Sequence, residues 1–214
     1  MKVEIWSDVV CPWCYIGKRH FEQALARFDH RDEVEIVWRS YELDPTAPPI
    51  REGTTADYLS AKYGWTEQQV AEAHTRVEGI AAQAGLEYHL DSTRGGNSFD
   101  AHRLLHLAAE HGKQDALKEA LLRAYFTDNE AVGDHTALAK VAASVGLDPG
   151  EIAETLASDR FAEDVRDDEK RARLLGISGV PFFAIDEAYG VSGAQPADHI
   201  LGALEHAWNA HAAA

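Results

Sequence analysis

Three things are scarce in this chain, and each scarcity closes off a class of protein. Apolar runs are short. None approaches the roughly twenty residues of a membrane-spanning helix, and strand-like sequence follows Met1 directly, with no basic and apolar leader, so a cytoplasmic protein is expected. Basic charge is low as well: 20 Lys and Arg face 36 Asp and Glu, for a formal net charge of -16. That balance repels nucleic-acid phosphates and anionic membranes and leaves neither as an expected partner. Cysteine is scarcest, with only Cys11 and Cys14. Two cysteines cannot staple a small scaffold, and a zinc site built on one pair must find its other ligands among histidines. What remains is ordinary for a folded protein. The 214 residues are 45% hydrophobic and 26% charged, enough for one domain or one domain with a large insertion.

The two cysteines stand three apart in Ser7-Asp8-Val9-Val10-Cys11-Pro12-Trp13-Cys14-Tyr15-Ile16-Gly17. Lys2 to Trp6 alternates polar and apolar residues as a strand does, and from Cys14 to Phe28 apolar residues recur at helical spacing. Cys11 therefore sits where a strand ends and a helix begins, with Cys14 one turn further in. Unpaired N–H groups and the positive end of the helix dipole stabilise a thiolate at that place. Pro12 suits the first helical position because its missing donor is not needed there. Trp13 is expected to lie exposed beside the sulfurs as a contact surface. A structural disulfide across so short a ring removes little chain entropy. Redox exchange is the favoured chemistry, with Cys11 attacking and Cys14 resolving the mixed disulfide.

Along the chain, Glu33 to Trp38 reads as a second strand, and Asp44-Pro45-Thr46-Ala47-Pro48-Pro49 halts regular structure. From about Thr54 to Leu175 the pattern is helical. Thr66 and Gln69 form a capping box flanked by Trp65 and Val70, residues 86–96 read as a loop, and Asn97 and Ser158 are expected to cap helices. Strand character returns at Val180 to Ile185 and Tyr189 to Ser192, a hairpin followed by a last helix from Gln195-Pro196. A proline opening a strand belongs at an edge or a strand start. If Val180-Pro181 is cis, its turn can offer backbone groups to a substrate beside Cys11.

Taken with Asn97-Ser98-Phe99-Asp100-Ala101-His102-Arg103-Leu104, Gly176-Ile177-Ser178-Gly179-Val180-Pro181-Phe182-Phe183 and Gly190-Val191-Ser192-Gly193-Ala194-Gln195, the cysteine motif resembles the DsbA-family oxidoreductases of the FrnE branch. The resemblance covers essentially the whole chain. It implies an α/β thioredoxin fold from residues 1–49 and 176–214, interrupted by an inserted α-helical domain over 50–175. It also implies Cys11 as nucleophile, Cys14 as resolving thiol and Val180-Pro181 as a cis-proline loop. Isomerases of 2-hydroxychromene-2-carboxylate and kappa-class glutathione transferases are similar too, but usually carry serine at the key cysteine position.

Several polar residues keep two readings. Pro12, Trp13, Val180, Pro181, Asn97, Ser98 and His102 are candidates for substrate contact, and the last three could equally be a plain helix start. His102 and His106 have metal-ligand spacing, but Arg103 stands where the metalloprotease pattern needs glutamate, and no metal is expected. Asp8 either moves protons or sits exposed at the strand end. The acidic run 163–169 reads as a solvated helix face. No cofactor is expected beyond glutathione as a candidate co-substrate. The expected partner is a thiol or disulfide, protein or small molecule, and a homodimer is left open. The rival functions are a glutathione-dependent isomerase or transferase of an aromatic or polyketide-like molecule, and a holdase chaperone.

Overall fold

The first strand collects the rest of the molecule on both of its faces. In the computed structural model, which describes residues 1–212, β1 (Lys2–Ser7) is buried along nearly its whole length. It leads into α1 (Pro12–Arg27), and β2 (Glu35–Ser40) pairs parallel to it in register Ile5 with Trp38. A short 3-10 turn at Arg31–Glu33 precedes β2, so the second strand begins two residues later than its alternating pattern suggests. Seven helices then follow: α2 (Thr55–Tyr63), α3 (Glu67–Gln83), α4 (Phe99–Glu110), α5 (Gln114–Phe126), α6 (His135–Ser144), α7 (Pro149–Ala157) and α8 (Ala162–Leu174). The chain returns through the hairpin β3 (Phe182–Ile185) and β4 (Tyr189–Ser192) and ends on α9 (Ala197–Ala212). The sheet order is β2-β1-β3-β4, with β3 antiparallel to β1. This is a mixed sheet flanked by helices, the α/β thioredoxin arrangement that the resemblance implies.

Side chains alternate across a strand, and β1 shows what each face receives. Val3 and Ile5 pack with Phe21 and Ala24 of α1, with Phe28 just after it, and with Ile200 and Leu204 of α9. Trp6 packs on the opposite face with Ala172 of α8, Ile177 and Ala184. Both faces are covered, so that Glu4, on the Trp6 face, is buried along with the apolar residues. Each large side chain so buried is worth about 1.5–3 kcal/mol. A third cluster joins Val9, Tyr15 and Ile16 to Leu104, Leu117 and Leu121 of the helical segment. The helical segment and α1 thus share a core.

Local signals account for most helix boundaries. Thr66 accepts from the Gln69 N–H and Gln69 from the Thr66 N–H, the expected capping box, and Thr54 with Asp57 forms a second one. Two caps differ from expectation. Ser98, without a side-chain cap, precedes α4, and Asn97 instead accepts from the Phe99 N–H at 2.8 Å. Ser158 binds the Arg160 N–H, and Phe161, with a φ of 64°, precedes α8. The stretch 86–96 is less loop-like than its composition, because Leu86, Tyr88 and Leu90 are buried.

The acidic run is only partly solvated. Asp168 turns inward and accepts from Arg39 Nη1 at 3.0 Å and the Ser40 N–H at 2.9 Å. Beside it Glu4, 1% exposed, accepts from Arg39 Nε at 2.8 Å and Arg171 Nη2 at 2.7 Å. These pairs fasten α8 to the sheet. Glu4→Ala removes the buried carboxylate that Arg39 and Arg171 share, although Arg39 keeps Asp168 and Arg171 keeps Glu187, so unfolding in urea should show a loss of about 1–3 kcal/mol, and an unchanged midpoint would contradict this account of α8.

Candidate functional site

The site begins at the exit from β1. Cys11 has extended backbone (φ -93°, ψ 115°) as the residue before α1, and Pro12 takes the first helical position. The Cys14 N–H donates to the Cys11 carbonyl at 3.0 Å, which closes the first turn and brings the two side chains to the same end of the helix. Both thiols are free. Cys11 keeps 4% of its surface exposed and Cys14 none, so an incoming sulfur can reach only Cys11. Trp13 stands beside them, 40% exposed.

The other end of the chain supplies the facing wall. The Val180–Pro181 peptide bond is cis, and the Cys11 thiol lies 3.6 Å from the Val180 carbonyl oxygen. Pro181 rests on α1 at Gly17: a Cβ built there would lie 2.7 Å from Pro181 Cγ. The glycine in the helix interior is therefore a contact surface for the proline loop. The helical segment clamps the first turn from its outer side, where Tyr88 Oη donates to the Pro12 carbonyl at 2.7 Å.

Beneath the thiols lies a dry polar cluster. Lys118, on α5, is wholly buried and its Nζ donates to the Ser7 carbonyl at 3.1 Å. Burial pulls its pKa down to about 8 against the opposing pull of Cys14, Asp8 and Cys11. Asp8, also wholly buried, accepts from the Leu43 N–H at 2.8 Å. Burial alone would push its carboxyl up, but His102, the Leu43 N–H and Ser98 outweigh it and hold the group below the usual carboxylate range. Asp8 is thus not the exposed strand-end charge that one of its readings allowed.

The two thiols share these influences as a pair. The hydrogen bond with Cys14, then burial, pushes Cys11 up; Cys14 is lowered despite burial by its bond with Cys11, the Lys118 charge and Ser7. Such a pair titrates in two steps that belong to neither sulfur alone. The first proton comes off more readily than from an isolated cysteine, and the second is held. Of the two cysteines only Cys11 keeps any exposure.

Not every expected contact residue reaches a substrate. A cavity of about 450 Å³ opens beside the thiols between α1, α2 and α3, and Cys11, Pro12, Trp13, Ser98 and Val180 line it. His102 does not. It is wholly buried, its Nε2 is 3.4 Å from Asp8 Oδ1, and burial keeps its imidazole neutral by lowering its pKa. Asn97 is committed to Glu42 and the Phe99 N–H. His106 faces Ser40 and Asp168 rather than sharing a ligand with His102, and among the described residues no group of three or more His, Cys, Asp or Glu is placed to hold a metal. Lys118 went unnoticed in the sequence, although it shares an apolar stripe with Leu121, Leu122 and Tyr125. A lysine on a helix's buried face is the signal.

A dithiol at a strand-to-helix junction, opposed by an X-Pro turn, defines a thioredoxin-type site. The family model for the DSBA-like thioredoxin domain matches residues 2–205, and the chain belongs to that family of thiol oxidoreductases. A structure described as a "probable DsbA oxidoreductase" from Streptomyces coelicolor is 47% identical and superposes with a TM-score of 0.94, covering 98% of this chain and 90% of its own. The Bacillus subtilis protein YwbO is 28% identical over 187 residues, 86% of each chain. The cytosolic disulfide reductase DsbM from Pseudomonas aeruginosa, solved with glutathione, shares the fold at 16% identity and a TM-score of 0.68, over 98% of this chain and all of its own. No helix among the described residues is long and apolar enough to cross a membrane.

Two substitutions test this geometry. Gly17→Ala drives a methyl group into Pro181 and should cost about 1–3 kcal/mol, read as a lowered urea midpoint; full stability would show that the contact yields freely. Lys118→Met addresses the cluster. Burial lowers Lys118 to about 8 from its ordinary 10.5, so between those values the unfolded chain binds more protons and stability rises with pH. Urea midpoints at pH 8 and pH 10 should show that rise in the parent chain and a smaller one in the variant.

Proposed function

We propose that the chain is a thiol–disulfide oxidoreductase cycling Cys11 and Cys14 between dithiol and disulfide. The Cys11 thiolate attacks a substrate disulfide, one substrate sulfur leaves as a thiol, and a mixed disulfide remains on Cys11. Cys14 then gives up its proton, attacks the Cys11 sulfur and releases the second substrate thiol. Two electrons pass from the protein to the substrate, and the reverse sequence oxidises a dithiol. The observation that supports this reading best is the unequal access to the two sulfurs, with Cys11 reachable and Cys14 enclosed one turn below it. Val180 and Pro181 form the wall against which the substrate sulfur is aligned, and Pro12 and Trp13 supply the near edge.

The couple needs no metal or organic cofactor in this scheme, and glutathione serves as co-substrate by exchanging with the Cys11–Cys14 disulfide. We place the protein in the cytoplasm, because both of its cysteines are spent on one pair and none on a structural bridge. The test is the state of the pair across buffers of reduced and oxidised glutathione, read by mass after trapping free thiols. A reversible two-electron transition is expected, and its midpoint gives the preferred direction of electron flow. A pair that never closes at any ratio would overturn the proposal. Cys11→Ser should abolish exchange, whereas Cys14→Ser should accumulate a mixed disulfide on Cys11; turnover surviving in the Cys11 variant would equally refute it.

A further inference from the structure

The cavity beside Cys11 is built unlike the rest of the surface. Seven large apolar side chains stand exposed among the described residues, and four of them, Trp13, Leu43, Tyr63 and Trp65, line this one cavity. They come from three separate stretches of chain, Tyr63 and Trp65 sharing one, so no single amphipathic element explains their exposure. The rings of Tyr63 and Trp65 lie 5.2 Å apart, and Tyr58 and Phe126 continue the aromatic lining inward. The volume, about 450 Å³, is within the range that small-molecule sites occupy.

Charge narrows the occupant further. Arg51 is bonded to Asp44 at 2.9 Å and lies over the Tyr58 ring, 3.6 Å from its centroid. His74 is bonded to Asp91 at 2.6 Å. Lys62 makes no ion pair among the described residues and stands 5.1 Å and 5.6 Å from the ring centroids of Tyr58 and Tyr63. The lining therefore offers flat apolar walls and one unpaired cation at the side of α2. A glutathione moiety carries two carboxylates and an ammonium group, more charge than one unpaired cation matches, so its exchange with the pair does not call on these aromatic walls.

We infer that this cavity binds the aromatic body of a low-molecular-weight thiol or disulfide carrying a single negative charge on that half, and presents its sulfur to Cys11. The inference rests on the exchange reaction proposed above and adds the substrate class. Trp13 and the Tyr63–Trp65 pair stack on the aromatic body, Lys62 meets its anionic group, and the Val180 carbonyl side holds the sulfur. No further reactant is needed for one turnover, because the reduced protein supplies both electrons and the substrate disulfide leaves as two thiols.

Two disulfides matched in sulfur chemistry and charge separate the possibilities. N,N′-di(1-naphthoyl)cystine and N,N′-diacetylcystine differ only in the body attached through the amide. The rate at which each oxidises the fully reduced protein is followed by trapping and mass. The naphthoyl compound is expected to react roughly tenfold faster or more, with saturation, and a Tyr63→Ala/Trp65→Ala variant should shrink the ratio to within about twofold. A second variant, Lys62→Gln, should raise the naphthoyl concentration needed for half-saturation. Equal rates in the parent protein would overturn the substrate class while leaving exchange intact. A ratio unchanged in the double variant would overturn the location. Faster oxidation by a scrambled protein disulfide would show that the occupant is a polypeptide. Oxidation by none of the three would remove the exchange reaction itself, and the inference with it.

Discussion

The antiparallel pairing of β1 with β3 is the constraint on which the site depends. Its register sets Ile5 opposite Phe183 and Trp6 opposite Phe182. Pro181 and Val180 must then lie just beyond Trp6, where the chain leaves the sheet toward Cys11. A slip of one residue would exchange the two covered faces of β3 and turn Phe183 and Ile185 away from α1 and α9, and one of two would carry the Val180 carbonyl away from the thiol. The contact at Gly17 sets the same distance from the helix side, since any larger residue would hold α1 off Pro181. Two independent contacts thus locate one carbonyl oxygen opposite one sulfur.

The helical segment contributes two unlike surfaces to that sulfur pair. From below, α5 brings Lys118 against Ser7, in a region closed to water where a charge acts strongly. From the side, α2 and the turn before α3 bring aromatic rings that water can reach. The polar surface sets a buried ammonium group below the pair, and the apolar one borders the side of Cys11 that is open. Their separation follows from the shared core of Tyr15, Ile16, Leu117 and Leu121, which lets α5 pack directly on α1. Helices merely covering the site from outside could not place an ammonium group beneath it.

Much of this was legible because it is local. Cys11, Pro12 and Cys14 announce a helix start through their spacing, and Thr66 with Gln69 announces another through reciprocal bonding. The hairpin of β3 and β4 follows from two short apolar runs around a polar turn. What escaped notice depends on contacts between distant parts of the chain. His102 looked like a group facing the substrate because its helix begins near the site, but the direction it points is fixed by packing on Asp8. Asp168 looked solvated because its neighbours in sequence are charged, while its partners Arg39 and Ser40 come from β2. Gly17 showed no reason for being glycine until Pro181 was placed against it.

The position of β1 at the start of the chain and of β3 near its end has a further consequence for synthesis. A ribosome adding about 5–20 residues per second releases Val3 and Ile5 long before Phe183 and Ile185, their partners in the sheet. For roughly ten to forty seconds the central strand of the sheet has one edge open, with only β2 beside it. The intervening helices make mostly local contacts and can form in that interval, which gives the early strand a surface to rest on. Cys11 and Cys14 precede Val180 and Pro181 by nearly the same interval, so the nascent chain carries its two thiols throughout it before the wall that faces them exists.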